Sequence, residues 1–227
     1  EIFVSGPDAE KYVSHVFSND ITDMPSGKVL YGMLLNPRGG VVDDLLVYRD
    51  SVPDSYLLVV NAANIGKDFN WLTDHAEGFD VSVRNESGMW GQIALQGPRA
   101  EEILSDVLHL DAASSLAFYT WREMQWNGKR LIVSRTGYTG EDGFEFYSSA
   151  DEIRDIWDTL ARAGVVPCGL GCRDTLRFEA GLPLYGHELS DDITPLEAGL
   201  GIFVKMDKPE FIGRDALIAQ KAAGLTR

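Results

Sequence analysis

Ile2-Phe3-Val4-Ser5-Gly6-Pro7-Asp8-Ala9-Glu10-Lys11-Tyr12-Val13 is repeated in kind by Ile93-Ala94-Leu95-Gln96-Gly97-Pro98-Arg99-Ala100-Glu101-Glu102-Ile103-Leu104. In both stretches a short apolar strand stops at Gly-Pro. The proline is then expected at the first position of an amphipathic helix, where a missing N–H costs nothing. A chain that makes the same start twice predicts two copies of one strand-helix-strand-strand unit, with halves at about residues 1–85 and 86–180. Further helices are expected over residues 62–77, capped by Asn61, over 152–163 and over 173–180, with a helix-like run at 213–221. The remainder alternates with a two-residue period. The fold class that follows is α+β, with duplicated strand-helix-strand units and mostly antiparallel sheets.

Two stretches inside this frame carry unusual chemistry. Tyr31 to Leu35 and Val41 to Tyr48 read as apolar strands joined by the turn Asn36-Pro37-Arg38-Gly39-Gly40. Strict alternation puts Asp43 with Val41, Leu45 and Val47 on one face, and Asp44 with Val42, Leu46 and Tyr48 on the other. Burying an unpaired charge is expensive, so an acid on such a face must find a partner, shift its pKa or meet a ligand. The alternative is that both acids cap the turn in solvent. The second stretch is Ser134-Arg135-Thr136-Gly137-Tyr138-Thr139-Gly140-Glu141-Asp142-Gly143-Phe144-Glu145-Phe146. Its three glycines allow positive φ or close approach of a ligand, and Tyr138 offers a flat face beside them. Glu145, between aromatic residues on the strand that follows, is a carboxylate able to accept paired hydrogen bonds from a planar amidine-like edge such as a pterin or purine presents. A glycine-rich hairpin with a surface Glu is the plainer reading.

Composition excludes several classes. The 227 residues, 44% of them hydrophobic, suffice for a sizeable core. There is no apolar run of membrane-spanning length and no basic-then-apolar leader at Glu1-Ile2-Phe3-Val4-Ser5, so neither a membrane partner nor secretion is expected, and the chain reads as intracellular. A net charge of −15 argues against nucleic acid, whose phosphates need clustered Lys and Arg. Cys168 and Cys172 lack further ligands nearby, and His15, His75, His109 and His187 have no ligand spacing, so no metal site is expected and the cysteines read as small buried residues. Gly169-Leu170-Gly171 lacks the rest of a dinucleotide fingerprint, and no nucleophile elbow or P-loop occurs.

Gly39-Gly40-Val41-Val42-Asp43-Asp44-Leu45-Leu46-Val47, Val59-Val60-Asn61-Ala62-Ala63-Asn64, Leu95-Gln96-Gly97-Pro98, the glycine loop through Glu145, and Gly169-Leu170-Gly171-Cys172-Arg173-Asp174-Thr175-Leu176-Arg177-Phe178-Glu179-Ala180-Gly181-Leu182 resemble the aminomethyltransferase (T-protein) of the glycine cleavage system. Five separated motifs in order, spanning the chain, are far more specific than any one of them. The resemblance implies transfer of a methylene unit from an aminomethyl-dihydrolipoyl group on a lipoylated H-protein to tetrahydrofolate, with release of ammonia. It implies that Asp44 is the catalytic carboxylate, that Glu145 grips the pterin edge, and that Tyr31, Asn61, Tyr119, Tyr138 and Arg173 contact or position the folate. His187 and Glu197 are assigned to structure or to a partner-facing rim. Members of that family extend past both ends of this chain, upstream with a Ser-His-Met segment and downstream with a β-barrel domain. The chain is therefore expected to be a fragment with impaired activity, and residues 181–227 to be a connecting segment leading to the barrel. A folate-dependent demethylase and a non-catalytic folate-binding module share the pterin site and remain alternatives.

Overall fold

The computed structural model describes residues 1–225 and divides the chain into two compact units: Glu1–Glu86 together with the chain from Leu184 onward, and Ser87–Pro183. The first unit holds β1 (Ile2–Ser5), α1 (Ala9–Val16), β2 (Val29–Leu35), β3 (Val41–Arg49), β4 (Ser55–Val59), α2 (Ile65–Asp74) and β5 (Ser82–Asn85), in a sheet of order β2-β3-β4-β1-β5. The second holds β6 (Gly91–Gln96), α3 (Ala100–Asp106), α4 (Asp111–Ser114), β7 (Trp121–Trp126), β8 (Lys129–Ser134), β9 (Gly143–Ser148), α5 (Ala150–Arg162) and α6 (Leu170–Glu179), in a sheet of order β6-β9-β8-β7. Every strand pair is antiparallel. The orders β2-β3-β4-β1 and β7-β8-β9-β6 trace the same path, so the duplication read from the two Gly-Pro stretches is a duplication of topology.

The shared start has one local geometry. Gly6 and Gly97 adopt φ of 138° and 123°, and their carbonyls accept the N–H of Ala9 and Ala100, each at 2.9 Å. A side chain at that φ is strained, which is why glycine stands at both places. The helices open two residues after Pro7 and Pro98, with Asp8 and Arg99 as the half-helical residues, so the prolines lie just outside the helices rather than at their first position.

The β2–β3 hairpin departs from simple alternation at one point. Leu35 pairs with Val41 but Leu34 pairs with Asp43, which leaves Val42 as an extra, bulged residue. The bulge shifts the phase: Val42, Leu45 and Val47 join the core cluster beneath α1 and α2, while Val41 joins a different cluster with Met33 and Leu35. Asp43 therefore shares its face with Leu45 and Val47 but not with Val41, a correction to the alternation read from sequence. The turn itself is held by Asn36, whose Oδ1 accepts the N–H of Arg38 at 2.9 Å and of Gly40 at 3.2 Å.

The chain from Leu184 onward packs within the first unit, where the sequence alone suggested a connecting segment. Leu189, Val204, Phe211 and Leu217, which lies on α7 (Arg214–Ala223), bury themselves with Met33, Leu35 and Val41. The carbonyls of Ser190 and Ile193 accept the N–H of Val41 at 2.9 and 3.1 Å. Lys208, nearly fully buried, donates from Nζ to the carbonyls of Ser14, Phe17 and Asn19 at 2.7 to 2.9 Å. An ammonium has three donors, and here each finds an acceptor.

Helix bounds differ from expectation where caps decide them. The expected helix 62–77 is a 3-10 turn, Ala62–Asn64, followed by α2 ending at Asp74. Asn61 makes no capping bond from its side chain, because its amide is committed elsewhere. α5 starts at Ala150 because Ser149 caps it, accepting the N–H of Glu152 at 3.4 Å, a Ser-x-x-Glu signal that the periodicity alone did not use. α6 starts at Leu170, three residues before the expected Arg173.

Candidate functional site

In the first unit Tyr31, Asp44 and Asn61 meet. Tyr31 stands on β2 opposite Leu46, diagonal to Asp44 of β3, and Asn61 follows the end of β4, the other neighbour of β3. The Tyr31 hydroxyl donates to Asp44 Oδ2 at 3.0 Å, and Asn61 Nδ2 donates to Asp44 Oδ1 at 3.0 Å. Both carboxylate oxygens are thus held, one from each flanking strand. The same Asn61 amide reaches Asp43 Oδ1 at 2.9 Å, and the backbone N–H of Asn61 reaches Asp43 Oδ2 at 3.2 Å. Asn64 Nδ2 adds a further donor to Asp43 Oδ1 at 2.9 Å. Asp43 is fully buried, and these donors compensate its desolvation.

Asp44 is only half-buried, and its environment raises its pKa to about 6. Burial is the larger cause and the neighbouring Asp43 the second, with the Tyr31 and Asn61 hydrogen bonds pulling the other way. A carboxyl oriented at both oxygens and titrating near neutral pH is suited to proton exchange with a bound nitrogen base. Tyr31 is itself fixed: its ring meets Phe203 edge to face at 4.8 Å, and its carbonyl accepts Asn19 Nδ2 at 2.9 Å.

In the second unit Glu145, Tyr138, Arg173 and Tyr119 form a separate group. Glu145 on β9 is 6% exposed, accepting from Gln92 Nε2 on β6 at 2.8 Å and from Thr136 Oγ1 at 2.5 Å. Burial raises its pKa, while Thr136, the charge of Arg173, Gln92 and Tyr147 oppose the rise. The Arg173 guanidinium lies over the Tyr138 ring at 4.4 Å, and the Tyr138 hydroxyl donates to the Pro183 carbonyl. Tyr119 adopts φ of 60°, a conformation costly for a bulky residue, and its phenol pKa is raised by burial and then by the charge of Glu145.

The glycine loop has a different internal logic from the one its sequence suggested. Only Gly140 of its three glycines has positive φ, 76°. A side chain on Gly137 or Gly143 would strike the Gln96 amide, at 1.8 and 2.3 Å. These two glycines make room for Gln96 rather than for a ligand, and Gln96 Nε2 in turn donates to the Thr136 carbonyl at 3.2 Å. Arg135 clasps the loop ends, donating to both oxygens of Asp142 at 3.0 and 2.6 Å, to Glu101 at 2.6 Å and to the carbonyls of Ser114 and Leu116.

Gln92, Thr136 and Asn64 escaped the sequence reading as partners of the acids. Their signal was positional: Gln92 pairs with Tyr147 across β6 and β9, two residues beyond Glu145 on the same face. Cys168 and Cys172, expected to be buried, are exposed free thiols, because the segment that carries them lies at the surface. Glu197 accepts the N–H of Thr194 at 2.9 Å while Thr194 Oγ1 accepts that of Glu197 at 3.2 Å, a reciprocal cap, and His187 is exposed. Among the described residues there is no cluster of metal-ligating side chains, and no helix is long and apolar enough to cross a membrane.

Comparison with known proteins bears on the family and the fold. The GCVT N-terminal domain pattern matches residues 1–208. An aminomethyltransferase of Moorella thermoacetica is 52% identical and one of Lysinibacillus sphaericus 50% identical, each aligned with the whole of this chain and with 63% of the relative. The crystal structure of glycine cleavage system aminomethyltransferase T from Bartonella henselae superposes with a TM-score of 0.90 at 35% identity, covering 98% of this chain and 61% of that one. The chain thus spans a little over three-fifths of the length of the relatives it matches. By its sequence pattern and its duplicated antiparallel fold, the chain belongs to the GCVT N-terminal domain family.

Proposed function

We propose that this chain provides the folate-binding and reacting carboxylates of a glycine cleavage system aminomethyltransferase, which moves a methylene unit from the aminomethyl-dihydrolipoyl arm of an H-protein to tetrahydrofolate. The relatives described above are named aminomethyltransferases, and the half-buried Asp44, held at both oxygens with its pKa raised to about 6, is the observation that carries the reading. The reaction bonds the methylene carbon to two folate nitrogens, while the two N–H protons lost from them pass to the departing ammonia and to the lipoyl sulfur. Asp44, ionised above about pH 6, takes up such a proton or stabilises the cationic carbon before it is captured. Tyr31 and Asn61 keep its oxygens aimed, which supplies orientation rather than chemistry.

Glu145 fits the grip on a pterin edge. A carboxylate has about four acceptor sites, and Gln92, Thr136 and Tyr147 occupy part of them. An edge with two N–H donors takes the vacant site and replaces the Tyr147 hydroxyl, and two charge-assisted bonds then offset the burial that now raises the Glu145 pKa. Arg173 and Tyr138 offer a stacked cation and aromatic face in the same unit, and Tyr119 a phenol carried on backbone at positive φ.

The test is release of ammonia from aminomethylated H-protein in the presence of tetrahydrofolate, assayed with the chain in a complete family member. Ammonia in step with methylene-tetrahydrofolate is expected. Folate binding without ammonia, together with turnover of a methylamine donor, would instead identify a folate-dependent demethylase.

A further inference from the structure

Asp68 sits on α2 with its side chain fully buried, on the same helical stripe as the buried Leu72. No N–H or hydroxyl donor reaches either of its oxygens, and Lys67 Nζ stands 3.7 Å away, beyond hydrogen-bonding distance. The side chains that act on its carboxyl are the Asp43 carboxylate and, more weakly, the Lys67 ammonium. Two carboxylates cannot bond each other unless a proton lies between them. Asp43 already accepts from the Asn61 amide, the Asn61 backbone and the Asn64 amide, so it is equipped to be the anion, and Asp68, with no donor within hydrogen-bonding distance and only Lys67 at 3.7 Å, is equipped to be the acid.

We propose that Asp68 is a positioning residue: it is held as a neutral carboxylic acid that donates to Asp43, and the pair, with one proton and one negative charge, is the mount from which Asn61 orients Asp44. The charged and titratable groups that face Asp68 are Asp43 from β3 and Lys67 from its own helix. Lys67 balances the single charge of the pair and is itself anchored, over the Tyr185 ring at 3.9 Å and on the Val42 carbonyl. Burial and then Asp43 hold the Asp68 carboxyl well above the usual carboxylate range, in keeping with the geometry. Were Asp68 ionised, two adjacent buried anions would face one lysine, and the Asn61 amide could not stay shared between Asp43 and Asp44.

That Asp44 performs the chemistry rests on the function proposed above, whereas the state of Asp68 does not. The experiment therefore uses the protein itself, without turnover. Infrared difference spectra of wild type against Asp68→Asn at pH 7 are expected to show a protonated carboxyl band present only in the wild type. Asparagine retains an N–H donor toward Asp43, so the Asp44 titration midpoint, followed by carboxyl-carbon NMR, is expected to stay near pH 6 in Asp68→Asn and to move by about half a unit or more in Asp68→Leu, which has no donor. Absence of the protonated band overturns the neutral acid. An unmoved Asp44 midpoint in Asp68→Leu overturns the positioning role, and if the leucine variant does not fold, an Asp44 midpoint displaced in Asp68→Asn overturns it equally. Full turnover of an Asp44→Asn enzyme would sink the functional reading and leave the result on Asp68 unaffected.

Discussion

The two units follow the same path through their sheets yet place their acids on non-equivalent strands and surround them differently. In the first, Asp43 and Asp44 lie on β3, the counterpart of β8; in the second, Glu145 lies on β9, the counterpart of β4. Asp44 has a like charge beside it, which adds to burial and leaves it titrating near pH 6. Glu145 has Thr136, Gln92, Tyr147 and the Arg173 charge around it, all of which favour the anion that burial opposes. On the function proposed above, one topology therefore carries a carboxyl that exchanges protons and a carboxylate that serves as an acceptor. The difference lies in the donors each strand neighbour supplies, not in the fold.

The sharpest way to break this contrast is Asp44→Asn. With shape and hydrogen bonds largely kept, turnover is expected to fall by roughly a hundredfold to ten-thousandfold, while the tetrahydrofolate dissociation constant stays within about tenfold. Glu145→Ala is expected to show the opposite emphasis. Loss of a charged acceptor weakens folate binding by more than about tenfold, read by calorimetry, because donors on both sides lose their partner.

A pH profile sharpens the first unit alone. Because the folded pKa of Asp44 is raised to about 6, its proton is on below that value and off above it, and turnover is expected to fall about tenfold for each unit below pH 6. The stability sign runs the other way. A raised carboxyl pKa contributes stability that is present below the unfolded value of about 4 and is lost as pH rises through about 6.

Legibility from sequence divided along physical lines. The Gly-Pro starts, the apolar alternation and the acid-bearing strand are local patterns, and they survive folding, so the α+β class was within reach, whereas the grouping of Tyr31, Asp44 and Asn61 came from the family resemblance. What was hidden depends on contacts between distant residues. The bulge at Val42 moved Val41 off the Asp43 face, because Leu34 and Leu35 pair across an extra residue. The glycines at 137 and 143 answer to Gln96, some forty positions away, and no local rule announces that. Asp68 did leave a trace, an acid four residues before Leu72 on the buried stripe of α2, but its meaning needs Asp43 beside it.

A smaller effect separates the units by what their glycines face. A side chain at Gly40 meets the Asp191 backbone carbonyl at 1.8 Å, whereas one at Gly137 meets only the end of the Gln96 side chain at the same distance. Gly40→Ala is expected to cost about 1–3 kcal/mol and Gly137→Ala under about 1, as Gln96 swings aside. Urea midpoints of the two variants measure the difference, and equal losses would mean that Gln96 is as rigid as backbone.

The most direct test of the division of labour is turnover of Glu145→Ala at saturating tetrahydrofolate, beside Asp44→Asn under the same conditions. The glutamate variant is expected to regain most of the wild-type rate once folate fills the site, while the aspartate variant stays slow at any concentration. If saturation failed to restore the glutamate variant, or restored the aspartate variant, the assignment of binding to Glu145 and reaction to Asp44 would be contradicted.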